Sequence, residues 1–382
     1  SEAKTTGAIL ALKEVKEEKY VAPKKKSKRS KKTSAAEMRV QKQISERLIL
    51  AKVSQSSFFS RLAYAFRENG KLYFASEFSA RGDLYNMIRK VQRVDIATAR
   101  FIVSELVEGI AFLHGEGIVH RDIKLENLML DSDGHLKIID LGLSKQLAKR
   151  ETRNRRFGFS FSMCGTSYYM SPEMIKGVGH SLVSDWWQVG TLLYELLVGK
   201  PAFTGKTQRA IHDRVLSGTP ADYGVVSKIA EGKESPEDVK LVINLLEALL
   251  VNEPGDRLGR QGPAAVKNHP FFRTVDWKKV HDREQELPEM IRSYVFGLTS
   301  SNESHKNIIT ESVIATYFRD AKTRSGVLLN KDQPPPTIED LDRQKQLRGT
   351  DNSSESTTVR SASNYSSSSD ATSQSSSRTI PI

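Results

Sequence analysis

Apolar residues recur along this chain at two spacings, and each spacing predicts its own kind of element. "AILALKEV" (8–15) and "KLYFASEF" (71–78) have the aliphatic, β-branched and aromatic density of strands, and Gly7 before the first reads as a turn. "AAEMRVQKQISERLILAKV" (35–53) instead brings Met38, Ile44, Leu48 and Ile49 round at helical spacing. "DIATARFIVSELVEGIAFLHGEG" (95–117) predicts an amphipathic helix stopped by glycines. "SDWWQVGTLLYELLVG" (184–199) is apolar nearly all round, as a buried central helix is. "SPEDVKLVINLLEALLV" (235–251) has a well-specified start, with Ser235 as N-cap, Pro236 at the first helical position and acids in the first turn.

A strand-rich stretch followed by a helical one predicts an α+β protein of two lobes rather than one layered sheet. The small lobe takes residues 1–79 and the larger, mostly helical one 80–272. Residues 273–348 are charged and weakly periodic, and 349–382 are so rich in Ser, Thr, Asn and Asp that disorder is expected there. No segment repeats. A length of 382 residues suffices for one large or two modest domains.

Charge adds a choice of partner. Lys and Arg number 58 against 46 Asp and Glu, a net +12. That suits an anionic partner such as a nucleotide, a nucleic acid, a membrane surface or an acidic protein, and equally a soluble protein with basic tails. Cys164 is the single cysteine, so an intrachain disulfide framework is excluded and a reducing, intracellular compartment is expected. The densest apolar run, "LVINLLEALLV" (241–251), is too short to span a bilayer and carries Asn244 and Glu247. The expectation is a soluble chain with no membrane span, cytoplasmic or nuclear.

Candidate chemistry gathers in "HRDIKLEN" (120–127), where Asp122 and Asn127 stand five apart, and in "KIIDLG", where Asp140 ends an apolar, strand-like run. Moving a phosphoryl group from ATP needs a carboxylate to accept the hydroxyl's proton, oxygen ligands for Mg²⁺, and a cation to offset the charge in transfer. Asp122, the pair Asn127 and Asp140, and Lys124 fit those tasks in that order. A solvated turn with an Asx cap is the plain alternative.

Five stretches weigh against that alternative. "HRDIKLENLML", "DLG", "CGTSYYMSPEM", "SDWWQVGTLLYELLVGKPAF" and "DRLG…HPFF" resemble, in order, the signature of the protein kinases, over about residues 1–280. "DWW" and the closing "RLG…HPFF" are similar to the AGC group of serine/threonine kinases, which includes the cyclic-nucleotide-dependent kinases and protein kinase C. The resemblance implies a bilobal protein-kinase-like fold with ATP and Mg²⁺ as cofactors. Residues 1–79 become an incomplete small lobe, and 273–348 an AGC-like C-terminal extension.

It also assigns roles to single positions. Lys13 resembles the strand lysine that holds the α- and β-phosphates, and Glu46 its helix partner. Glu77 and Ser79 fall in the hinge that meets the adenine, with Met129 also on the nucleotide side and Ser76 at the gate behind the adenine. Glu126 and Glu195 match acids that face basic residues before the acceptor serine or threonine, and Asp83, nearby in "RGDL", joins them. Ser162, two residues before "CGT", matches the activating phosphosite, with Arg121 as the phosphate's partner and an upstream kinase as its source. Glu173 is expected to pair with Arg257, and Asp185 to anchor the catalytic loop. Substrates are then proteins with basic residues upstream of the acceptor. Bulky N6-substituted ATP analogues should enter past Ser76.

Departures from the family pattern are specific. The family's DFG reads Asp140-Leu141-Gly142, and "GTPEYLAPE" reads "GTSYYMSPE", without the first proline. No aromatic docking motif closes the extension. Only 12 residues with one glycine precede Lys13, so the glycine-rich phosphate loop is absent from this sequence. Together with a first residue that is not methionine, this predicts a chain cut within a domain, an unpaired strand edge beside Lys13, and poor ATP binding unless upstream strands are restored. A pseudokinase or scaffold that keeps the fold without turnover is the competing reading. Retention of Asp122, Lys124 and Asn127 together favours the enzyme.

Two basic runs remain. "KKKSKRSKK" (24–32) reads as a nuclear-import signal or a solvated insertion, and without interleaved aromatics nucleic-acid contact is disfavoured. "KRETRNRR" (149–156) reads as a solvated loop, or as a magnet for an acidic partner or an activating phosphate.

Overall fold

A computed structural model describes residues 9–16, 46, 48–68, 71–79, 81–147, 167–179, 181–218, 221–297 and 309–310. They divide into two compact units. One holds strands and includes Leu62–Ser76; the other holds residues 46 and 48–61 and everything described from Glu77 to Gly297.

The first unit is an antiparallel sheet of β1 (Ile9–Lys16), β2 (Leu62–Glu68), β3 (Lys71–Glu77) and β8 (Ile309–Thr310), in the order β2-β3-β1-β8. β2 and β3 pair from Glu68↔Lys71 at the turn to Leu62↔Ser76 at the far end, with a shift in register between Leu62 and Tyr64. Leu10 and Ala75 are buried among Leu12, Ala63 and Tyr64, while Phe66 and Tyr73 stack at 5.1 Å. The edge of β1 expected to stand unpaired is partly taken: Ile9 pairs with Thr310 and Leu10 with Ile309.

In the second unit, α1 is the helical stretch of residues 46 and 48–53. Ile49 is 2% exposed but Leu48 is 41% exposed, against the expectation that both face inward. Neighbours on a helix point about 100° apart, so only one of them reaches the core.

The core lies around α3 (Ile96–Gly115), α5 (Leu182–Val198) and α8 (Pro236–Leu249). Their ends follow local chemistry. Asp95 caps α3 by accepting from the Thr98 N–H at 2.6 Å, and Ser235 caps α8 by accepting from Asp238 at 3.1 Å. α5 is walled in as its composition predicts, with Trp186 and Trp187 both at 0% exposure. Burying such side chains stabilises by at least about 1.5–3 kcal/mol each. Gly190 lets α8 approach, since a Cβ there would lie 2.9 Å from Leu249 Cβ and from Leu250. Gly190→Ala should therefore lose about 1–3 kcal/mol through overpacking, read as a drop in denaturation midpoint.

Of the charged stretch after 272, the described residues up to Gly297 are more ordered than its weak periodicity suggested. α10 (Trp277–Asp282) and α11 (Glu289–Gly297) bury Val280, Ile291 and Val295 completely. Between them Arg283 donates to the carbonyls of Ser57 (3.1 Å) and Leu136 (2.9 Å) and to the Asp131 carboxylate (2.8 Å).

Candidate active site

The candidate loop, residues 120–124, follows β4 (Ile118–Val119) and leads through one 3-10 turn, Leu125–Asn127, into β5 (Leu128–Leu130). β5 pairs with β6 (Leu136–Ile138) as a tight hairpin, Leu128 opposite Ile138. Its turn uses Gly134 at φ 88° and the Asp131 carboxylate, which accepts from the N–H groups of Asp133 (3.1 Å) and His135 (3.0 Å). Asn127 stands just before β5 and Asp140 just after β6, so the hairpin folds two residues distant in sequence onto one end. The Asn127 carbonyl accepts from the Ile139 N–H at 2.9 Å.

Asp122 is 6% exposed and held on one oxygen. Lys124 Nζ lies 2.8 Å from its Oδ2, and Asn127 Nδ2 donates to that oxygen at 3.1 Å and to the Asp122 carbonyl at 2.8 Å. Oδ1 takes part in none of these contacts. Because the Asn127 nitrogen is turned to Asp122, its amide oxygen points the other way. Asp140 has φ 52°, and its Oδ1 accepts from the Gly142 N–H at 3.1 Å. Leu141, in the aromatic's place, is 2% exposed, so the smaller side chain still packs.

An amide oxygen and a carboxylate are hard donors of the kind magnesium takes, with phosphates and water completing its shell. Among the described residues no group of three or more His, Cys, Asp or Glu is placed to hold a metal by itself. The donor set therefore fits an ion shared with a polyphosphate.

α5 holds this loop from beneath. Asp185, fully buried, accepts from the backbone N–H of Arg121 (2.9 Å) and of His120 (3.0 Å), and its Oδ2 lies 2.8 Å from His114 Nε2. Burial alone would raise the Asp185 carboxyl, but the hydrogen bond and charge of His114, with His120 and the Arg121 N–H, hold it below the usual range. Burial pushes the His120 imidazole down despite the nearby Asp185, Asp122 and Asp140. Arg121 has φ 72°, a conformation costing a non-glycine residue about 1–3 kcal/mol. Its guanidinium donates to the Leu143 carbonyl. Ser162 and the runs 24–32 and 149–156 lie outside the described residues, as does the tail 349–382.

Glu173 and Arg257 form a bidentate pair at 2.7 and 2.9 Å, with Ser184 Oγ donating to the same carboxylate at 2.8 Å. The guanidinium also lies 5.2 Å from the Trp187 ring centroid.

Among the residues expected to meet the nucleotide, the Glu77 carbonyl accepts from Ser60 Oγ at 3.0 Å and its carboxylate pairs with Arg61 at 3.1 Å. Ser79 is buried, and its carbonyl accepts from Gly82 at 3.3 Å. Met129 is half-buried on β5 and bridges Asp83 through backbone pairing. Ser76 is half-buried at the end of β3; Lys13 is exposed on β1 of the first unit, and Glu46 is 7% exposed in the second.

Of the three acids assigned to substrate, Glu126 alone is exposed. Asp83 caps α2 (Leu84–Val91), accepting from the Asn86 N–H at 2.7 Å and its amide at 2.9 Å. Glu195 is 7% exposed and accepts from the Tyr169 hydroxyl. Burial raises the Glu195 carboxyl, the Tyr169 hydrogen bond opposes this, and the charge of Glu126 adds to it. Sequence reasoning missed Tyr169 and His114. Tyr169 lies in a motif it did read; nothing marks His114 apart from other histidines on apolar helix faces.

The description "protein kinase domain" matches residues 5–272, and the chain belongs to that family. Protein kinase 2 of Dictyostelium discoideum is 37% identical over 243 residues, which is 64% of this chain and 47% of the relative. Ribosomal protein S6 kinase alpha-1 of Homo sapiens is 36% identical over 245 residues, covering 64% and 31%. Protein kinase C delta type of Rattus norvegicus is 35% identical over 243 residues, covering 64% and 33%. S6 kinases and protein kinase C belong to the AGC group of serine/threonine kinases, so the likeness lies within that group. The chain spans less than half the length of these relatives. Among the described residues no helix is long and apolar enough to cross a membrane.

Proposed function

We propose that this chain transfers the γ-phosphoryl group of ATP to serine or threonine hydroxyls of proteins. The observation that carries the reading is the capture of Asp122 Oδ2 by Lys124 and Asn127, which leaves Oδ1 for a substrate hydroxyl. In the step itself the hydroxyl oxygen bonds to the γ-phosphorus as the bond to the β–γ bridging oxygen breaks, ADP leaves, and the proton passes to Asp122. Asn127 and Asp140 would hold magnesium, which supplies charge neutralisation at the phosphates. Lys124 offsets charge on the group in transfer. Lys13 and Glu46 keep the roles the resemblance gives them, as do Glu77, Ser79 and Met129 on the adenine side and Arg121 toward a phosphate on Ser162 set by an upstream kinase. Retention of the whole catalytic set supports an enzyme over a scaffold.

Substrates should carry arginine or lysine before the acceptor. Glu126 is exposed beside the buried Glu195, whose ionisation is opposed by burial and by the charge of Glu126, a deficit that a guanidinium would relieve. A serine/threonine peptide library phosphorylated with labelled ATP tests both halves. Label should appear on Ser and Thr with an upstream basic preference, and Glu126→Gln should weaken that preference roughly 10-fold. Incorporation without basic preference removes the substrate reading; none at all removes the catalytic one.

A further inference from the structure

α5 carries a second polar residue under the loop. Gln188 is completely buried, one helical turn beyond Asp185. Its Oε1 accepts from the Ile123 N–H at 3.0 Å, and its Nε2 donates to the Arg121 carbonyl at 3.0 Å. These are the residues on either side of Asp122. Asp185 takes the two preceding amide groups, His120 N–H at 3.0 Å and Arg121 N–H at 2.9 Å. One face of α5 thus satisfies four main-chain groups in a loop with no ladder of its own.

The two residues divide that work unequally. Asp185 accepts only, and both its backbone bonds fall before Asp122. Gln188 accepts after Asp122 and donates before it, so it alone spans the residue. Arg121 sits at φ 72°, where a loop relaxes unless its peptide groups are held. A primary amide is neutral and can accept from a buried N–H while it donates to a buried carbonyl.

We propose that Gln188 is a positioning residue: by clamping the peptide groups that flank Asp122 it sets the direction of the Asp122 carboxylate. This rests on the reading of Asp122 as the group that accepts the proton. Gln188 touches neither substrate nor phosphate in this role, so its effect should appear in turnover rather than in binding.

The test replaces it with the apolar side chain closest in shape. Gln188→Met should lower kcat roughly 10- to 100-fold, the scale of a sub-ångström to ångström misplacement, while KM for ATP and for peptide stays within about twofold of the parent by the same argument. In an Asp122→Ala background the Gln188→Met change should have almost no further effect, because there is no carboxylate left to aim. A structural role alone would lower the residual rate of that background by the same factor, and that result overturns the proposal. So does an unchanged kcat in the single variant. Asp122→Ala alone separates the premises: if it keeps full activity, the reading of Asp122 fails first. Should Gln188→Met not fold, Gln188→Glu decides. Its carboxyl still accepts from Ile123 but donates to the Arg121 carbonyl only when protonated. Its kcat relative to the parent should therefore climb as pH is lowered, and a pH-independent ratio of one sinks the idea.

Discussion

Asp122→Ala should lower the rate of peptide phosphorylation by roughly 10²- to 10⁴-fold, the usual contribution of a positioned general base. Asp122 is nearly buried, and its Oδ2 is fixed by a lysine at 2.8 Å and an asparagine amide at 3.1 Å. Those contacts leave the other oxygen at a defined place, which is what a proton acceptor needs. Removing the side chain takes away the acceptor but leaves Asp140 and the buried loop in position. Nucleotide affinity should therefore change little, and steady-state kinetics with a direct nucleotide-binding measurement will separate the two. Equal turnover by the variant and the parent would mean that phosphate transfer, if any, runs without this carboxylate. The scaffold reading would then gain.

Arg257→Ala should destabilise the second unit by about 3–5 kcal/mol, the cost of stranding a buried charge. At about 2–4 °C per kcal/mol for a unit of this size, the melting temperature should fall on the order of 10 °C. The guanidinium is 0% exposed, and it answers a Glu173 carboxylate that is itself 7% exposed. Burial alone would raise the Glu173 carboxyl, but the Arg257 hydrogen bonds and charge, joined by Ser184, hold it below its ordinary value of 4.5. A depressed folded-state pKa stabilises at pH above 4.5 and is lost as pH falls through the folded value. In the variant the sign reverses, since a buried carboxyl without its partner prefers the neutral form. The gap between parent and variant should therefore narrow on acidification. Melting curves at pH 7.5 and 5 give the answer, and a gap of a degree or two at both would show that the pair carries little.

Much of this protein follows from short-range chemistry and was readable before any coordinates. The strands at 9–16 and 71–77, the capped start at Ser235 and the walled-in helix of Trp186 and Trp187 come from periodicity and end-capping, which act within a turn or two of the chain. Asp122, Lys124 and Asn127 were visible as a candidate set because they are neighbours in sequence. Other features depend on packing between distant segments. Nothing local shows that Leu48 faces out while Ile49 faces in, that Ile9 meets Thr310, that Val280 is buried, or that Ile291 joins a core begun at Ile49. The same holds for Glu195, whose carboxylate reads as a free acid until Tyr169 closes on it, and for His114 and Gln188, polar residues on helices whose neighbours are nearly all apolar. A buried polar group takes its meaning from the partner that satisfies it. For Gln188 that partner is a loop more than 60 residues away. The sequence by itself determined most of the elements, the family and the candidate groups for the chemistry. The tertiary structure alone decided which buried side chains hold those groups in place, because that is set by close packing across the core and leaves no periodic trace along the chain.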